Sequence, residues 1–161
     1  MTITVDIEIE DQAWLAAAED AEALVWRAAQ AVLDAHEDIV GQGIVILLTD
    51  DDSVQALNRD FRQKDYATNV LSFPSPRDPI ANPEGQIGDV ALAYGVCARE
   101  AAEQGKPLAH HLQHLVAHGV LHLLGYDHES DDEAEAMEAL EREILAGLDV
   151  PDPYAGDEEG R

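Results

Sequence analysis

Three histidines fall at positions 118, 122 and 128 within the stretch HGVLHLLGYDH, a spacing suited to holding a metal ion. An α-helix turns by about 100° per residue, so His118 and His122 lie within about 40° of each other on adjacent turns and both imidazoles can reach one ion. Gly125 predicts a left-handed residue just past the helix end, a reversal that lets His128 approach the same ion from a third direction. Three imidazoles leave a coordination position for water, the arrangement of a catalytic rather than a structural zinc site. Nickel and iron suit the same ligands, so the spacing does not choose the metal. His114, one turn before His118 on the same face, is a candidate partner of the ligands, with a solvated or packed role as its alternative. His36, His110 and His111 carry no functional expectation.

The pattern H-x-x-x-H-x-x-G-x-x-H also occurs in the zinc-binding stretch of metzincin proteases. Those enzymes carry Glu directly after the first His as general base, and here that position is Gly119. Glycine cannot take a proton. Either a base comes from elsewhere, or the metal supplies the activation by lowering the pKa of water to about 7.

Periodicity predicts the elements that position these side chains. Leu112, Leu115, Val116, Val120 and Leu123 recur on the arc opposite the histidines, giving a metal-binding helix over 107–124 that buries one side and turns the other to a cleft. Pro107 suits its first turn and Gly125 the residue beyond its end. Ile3, Val5, Ile7 and Ile9 alternate with Thr4, Asp6 and Glu8, so a strand with one buried face opens a sheet at 2–9. Leu24, Val25, Ala28, Val32 and Leu33 mark a helix over 20–36, and Gly41 and Gly43 separate it from Ile44–Leu48, an apolar run that reads as a central strand. Asp51 or Ser53 caps the next helix, which presents Val54, Leu57 and Phe61 on one side and ends near Arg62. Val70–Phe73 is a short strand, and Pro74, Pro76, Pro79, Pro83 and Gly85 impose an irregular loop before a strand at Ile87–Leu92. Further helices follow at 94–104 and 131–147. The last opens on a Ser130/Glu133 capping box, presents Met137, Leu140 and Ile144 inward and stops at Gly147. The expectation is an α+β single domain over 1–148, a mixed sheet of about four strands packed with about five helices, followed by an acidic, disordered tail at 149–161.

A chain of 161 residues suits one domain. No apolar run approaches the ~18 residues of a membrane span, and MTITVDIEIE lacks the basic start and apolar middle of a secretory signal. A cytoplasmic location without a membrane partner is therefore expected. Lone Cys97 excludes an intrachain disulfide and a Cys-rich zinc knuckle, and reads as a small buried apolar residue. The formal charge of −25 opposes a polyanionic partner, because nucleic-acid binding relies on Lys and Arg at phosphates. Its distribution matters more than its total. Residues 129–161 hold thirteen Asp and Glu against Arg142 and Arg161, whereas 59–77 hold Arg59, Arg62, Lys64 and Arg77 against Asp60 and Asp65, the one locally basic stretch. The acidity elsewhere reads as a solubilising surface.

With these residues the chain resembles the YbeY family, the endoribonucleases and ribosomal RNA maturation factors of bacteria. The likeness is carried by LNRDFRQKDYATNVLSFP at 57–74, GDVAL at 88–92 and HLVAHGVLHLLGYDH at 114–128, followed by the acidic DDEAEAMEALE helix. The resemblance implies an α+β fold with the metal helix near a mixed sheet, His118, His122 and His128 as ligands of one zinc, and a required Arg62. It further implies single-strand-specific endoribonuclease activity on ribosomal RNA precursors, in maturation and ribosome quality control, with the ribosome or its proteins as partners. Gln63 stands where the family commonly has Gly and Ala67 where it commonly has Pro, so the loop after Arg62 is where this chain should differ. On this reading Arg62 pairs with the phosphodiester, since a planar guanidinium makes two parallel hydrogen bonds to phosphate. Arg59 and Lys64, with Arg77, then extend a phosphate track. Two rival readings stand beside it. One is a metal-dependent peptidase or small hydrolase, against which Gly119 speaks; the other is a non-catalytic ribosome-assembly module whose zinc is structural and fully coordinated.

Overall fold

The computed structural model of the chain describes residues 3–36, 39, 41–76, 78, 80–83, 85–127 and 130–154. Among these, the elements run β1 (Thr4–Ile9), α1 (Ala13–Ala17), α2 (Ala21–Asp34), β2 (Gly43–Thr49), α3 (Asp51–Arg62), β3 (Val70–Pro74), β4 (Gln86–Ala93), α4 (Tyr94–Gln104), α5 (Leu108–Leu123) and α6 (Asp131–Gly147). The strands form one sheet in the order β1-β2-β4-β3, with β1, β2 and β4 parallel and β3 antiparallel to β4. This is the α+β architecture with a mixed four-stranded sheet that the periodicity predicts, with one helix more. The extra element, α1, is only five residues long, too short to show a helical period. It is held instead by Trp14, which is fully buried and donates its Nε1–H to the Thr49 carbonyl at 3.0 Å.

The pleat sorts the sheet into two faces. Val5, Ile7 and Ile9 of β1 lie opposite Ile44, Ile46 and Leu48 of β2, and this face meets α2 and α5. The other face carries Leu71, Ala91 and Ala93, covered by Val54 of α3 with Leu57 and Phe73 beside it. α5 is more enclosed than a two-sided helix, because the sheet, α2 and α6 pack on it from different directions. Between Leu112 and Leu123 only His114, His118 and His122 remain half-buried, and every other residue is buried. Burying a side chain such as Leu112 or Val116 stabilises by about 1.5–3 kcal/mol, so the apolar majority fixes the rotation of the helix and the histidine stripe follows.

The helix ends are set by local chemistry. Asp50, rather than Asp51 or Ser53, caps α3, its Oδ1 accepting from the Ser53 N–H at 2.7 Å. Ser130 caps α6 as expected, its Oγ accepting from the Glu133 N–H at 3.2 Å. The described part of the expected disordered tail, 149–154, is packed. Val150 is buried, Lys106 Nζ donates to the Pro153 carbonyl at 2.8 Å, and Tyr154 reaches back to α6. The packing of Val150, Pro153 and Tyr154 outweighs the acidity of that short stretch; residues 155–161 lie outside the described residues.

Candidate metal centre

α5 ends in a reversal that shapes the site. Gly125 takes φ +103°, the Gly125 N–H returns to the His122 carbonyl at 3.0 Å, and the Tyr126 N–H reaches back to the Leu121 carbonyl at 3.1 Å. These two bonds make a Schellman turn, for which glycine is the favoured residue at the left-handed position. The turn brings the Tyr126 carbonyl over the last helical turn, where it accepts from His122 Nδ1 at 2.9 Å. Tyr126 is anchored from its other end by its hydroxyl, 2.9 Å from His36 Nε2 at the end of α2.

His118 is oriented from the opposite side. Its Nδ1 lies 3.3 Å from Oε1 of Glu141, a fully buried carboxylate on α6. The same oxygen meets His114 Nε2 at 2.8 Å, and the Tyr154 hydroxyl donates to both carboxylate oxygens at 3.2 and 3.1 Å. Burial pushes the Glu141 pKa up, but the hydrogen bonds from His114 and His118 outweigh it and hold the group down at about 2. Glu141 is therefore an anion at any physiological pH. Tyr154 is pushed well above the usual phenol range, first by burial and then by Glu141, so it remains a donor.

With each Nδ1–H given to an oxygen, both rings turn Nε2, as the nitrogen that carries the lone pair, toward the same point. The two Nε2 atoms are 3.0 Å apart. A tetrahedral ion with metal–nitrogen bonds of about 2.0–2.1 Å sets its ligands about 3.3 Å apart, so the pair fits two neighbouring corners of such a sphere. Among the described residues no group of three His, Cys, Asp or Glu converges for a metal. The third expected ligand, His128, lies outside the described residues, as does Arg77.

Gly119 faces the sheet. A Cβ there would stand 2.8 Å from Val90 Cγ1, 3.2 Å from Ser72 Oγ and 3.4 Å from Val70 Cγ2. A base at 119 would point into β3 and β4, away from the histidines, which is the physical reason the protease pattern does not carry over. Ser72 Oγ instead donates to the Gly119 carbonyl at 3.0 Å. The main-chain carbonyl of Ser72 accepts from an Arg62 Nη at 2.5 Å, and the guanidinium carbon sits 5.5 Å from the Phe73 ring centroid. Arg62 is thus brought to the edge strand β3, which Ser72 fastens to α5. Arg59 and Lys64 stay on the surface around the end of α3, Arg59 paired with Asp60 at 3.1 Å. Gln63, which stands where the resembled family commonly has Gly, takes φ +60° and ψ +33°, so the chain makes the left-handed turn without a glycine. The buried Asn58 side chain ties down the loop beyond by donating to the Tyr66 carbonyl at 2.9 Å.

Periodicity alone missed Glu141, Ser72 and the Tyr126 carbonyl. Glu141 had a signal, because it falls on the inward stripe of α6 with Met137, Ile144 and Leu145. The carbonyl had none, since main-chain groups are invisible to residue type.

The family model described as Endoribonuclease YbeY matches residues 6–149. Relatives bearing that name include one from Rhodopseudomonas palustris, 51% identical over 155 residues, covering 94% of this chain and 80% of the relative. One from Rhizorhabdus wittichii is 59% identical over 119 residues, 70% of each chain, and one from Paramagnetospirillum magneticum is 50% identical over 163 residues, 96% of this chain and 98% of the relative. A Thermotoga maritima protein with a known solution structure aligns at TM-score 0.55 and 23% identity, covering 89% of this chain and 91% of that one, and so shares the fold. Matched by the family model over 6–149 and about half identical to these relatives over most of its length, the chain belongs to the YbeY endoribonuclease family.

Proposed function

We propose that the protein is a zinc-dependent, single-strand-specific endoribonuclease that processes ribosomal RNA precursors in the cytoplasm and serves ribosome quality control. The observation that carries this reading is the convergence of His118 and His122 Nε2 at 3.0 Å, each with its Nδ1 held by an oxygen. His128, three residues past Gly125, supplies the third ligand. Zinc bound there contributes Lewis acidity, polarising a phosphoryl oxygen or activating water; nickel or iron suits the same imidazoles.

The chain's own residues do the rest. Glu141 and the Tyr126 carbonyl fix the tautomers and orientations of the two rings. His114 acts through Glu141, which it hydrogen-bonds. Arg62 holds the phosphodiester with the N–H groups of its planar guanidinium that it does not give to Ser72. Arg59 and Lys64 extend the phosphate track, and the ribosome or its proteins present the precursor. The unit that carries this activity is the domain 1–148 together with 149–154, which pack on it and bring the Tyr154 hydroxyl to Glu141.

A labelled unpaired RNA and a peptide, each offered to the protein with and without chelator, test the reading. RNA should be cut, chelator should stop the cutting, added zinc should restore it, and the peptide should survive. RNA left intact by zinc-loaded protein, or cut equally in chelator, overturns it.

A further inference from the structure

The basic stretch at the end of α3 leaves two aromatic rings in water. Phe61 is 69% exposed and Tyr66 53% exposed. The two rings are not scattered singly, since both lie on the same short stretch as Arg59, Arg62 and Lys64. Phe61 is held. Its centroid lies 5.6 Å from that of Phe73 with the planes at 62°, and Phe73 carries Arg62 on its other contact. An edge contact of this kind favours one orientation of the ring and leaves most of it open. The neighbouring cations are Arg59, Arg62 and Lys64, with Asp60 engaged by Arg59 and Asp65 by the Gln55 amide at 3.0 Å.

We infer that Phe61 is a stacking platform for one unpaired base of the RNA substrate, an assignment that rests on the endoribonuclease reading. Aromatic rings set among cations form the surface that single-stranded nucleic acids use: the bases stack without sequence readout while the phosphates meet the charges. The charge of the region favours this occupant, because it is the one locally basic stretch in a chain of net charge −25. The sheet gives the path. β3 turns Ser72 toward α5 and Phe73 toward α3, and Arg62 bonds the Ser72 carbonyl between them. A strand crossing this edge would pass from the histidine side to Arg62 and on to Phe61. A duplex keeps its bases stacked on one another and has none to offer, which gives preference for single strands a structural cause.

Steady-state cleavage by the zinc-loaded protein tests the platform, using an unpaired RNA and a set of the same RNA with a single abasic position moved along it. Phe61→Leu keeps the apolar bulk and removes the aromatic face; Phe61→Trp keeps the face and adds a fluorescent reporter. Phe61→Leu should raise KM about ten- to hundred-fold with a smaller change in kcat. Phe61→Trp should bind far better than the Leu variant, and RNA should quench its emission. One abasic position should raise KM for the wild type by a similar factor and leave the Leu variant indifferent. An unchanged KM in Phe61→Leu overturns the platform while cleavage itself stands. Should the Leu variant not fold, the abasic set on the wild type decides alone, and insensitivity at every position overturns the platform. A wild type that does not cut unpaired RNA at all removes the endoribonuclease reading, and the platform with it.

Discussion

Ser72 and Gly119 are joined by a 3.0 Å hydrogen bond that fastens β3 to α5 at the residue after His118. Because the carbonyl of the same serine receives Arg62, one residue sets the position of the arginine relative to the histidine helix. The bond requires that α5 approach the sheet closely, and only a residue without a side chain at 119 allows that approach.

Gly119→Ala should therefore destabilise the fold by about 1–3 kcal/mol, since its Cβ overpacks against Val90 and Ser72. Ser72→Ala, which removes one hydrogen bond and leaves the space, should cost about 0.5–1.5 kcal/mol. Urea unfolding of both variants checks the order. A Gly119→Ala protein as stable as the wild type would show that the helix is free to move off the sheet.

Glu141 is the buried anion behind His118. Glu141→Gln keeps the shape and removes the charge, and it should weaken zinc binding about 10- to 100-fold, the usual cost of losing the group that orients a ligating histidine. Competition with a chromophoric chelator measures it. Wild-type affinity in the variant would detach Glu141 from the site.

Gln63 holds a backbone conformation that costs an L-residue about 1–2 kcal/mol and costs glycine nothing. Gln63→Gly gives back part of that gain through its freer unfolded chain, so a net stabilisation of about 0.5–1 kcal/mol is expected. A lower denaturation midpoint would mean that the Gln63 side chain contributes more than the strain removes.

His111 is buried on α5, its Nε2 2.9 Å from Glu100 Oε1. Burial lowers its pKa, and the bond to Glu100 only partly opposes this. The folded protein thus keeps the ring neutral where the unfolded chain would protonate it. Its contribution to stability is full above the ordinary histidine value of about 6.5 and is lost as the pH falls below it toward the lower folded value. His111→Phe should flatten the stability profile between about pH 7 and 5. Identical slopes in wild type and variant would remove His111 as a contributor.

What the sequence made legible follows from where periodicity is strong. α5 and β2 are long, apolar and regular, and the Gly125 reversal was readable because the position beyond a helix end favours glycine. The absence of a base at 119 was readable too, but its cause needed the register of β3 on β4, which brings Val90 and Ser72 beneath the glycine. Glu141 was hidden among the many carboxylates of α6, where one inward Glu looks like its solvated neighbours. Three consecutive aspartates at 50–52 blurred the cap of α3, and five residues of α1 gave no period to read.

The central claim is that His118 and His122 hold one catalytic metal ion. Metal content per chain, measured alongside RNA cleavage in the wild type and in His118→Ala and His122→Ala, tests it most directly. The wild type should carry one ion per chain, and each variant should lose metal and cleavage together. A variant that is free of metal yet cuts RNA at the full rate would contradict the account.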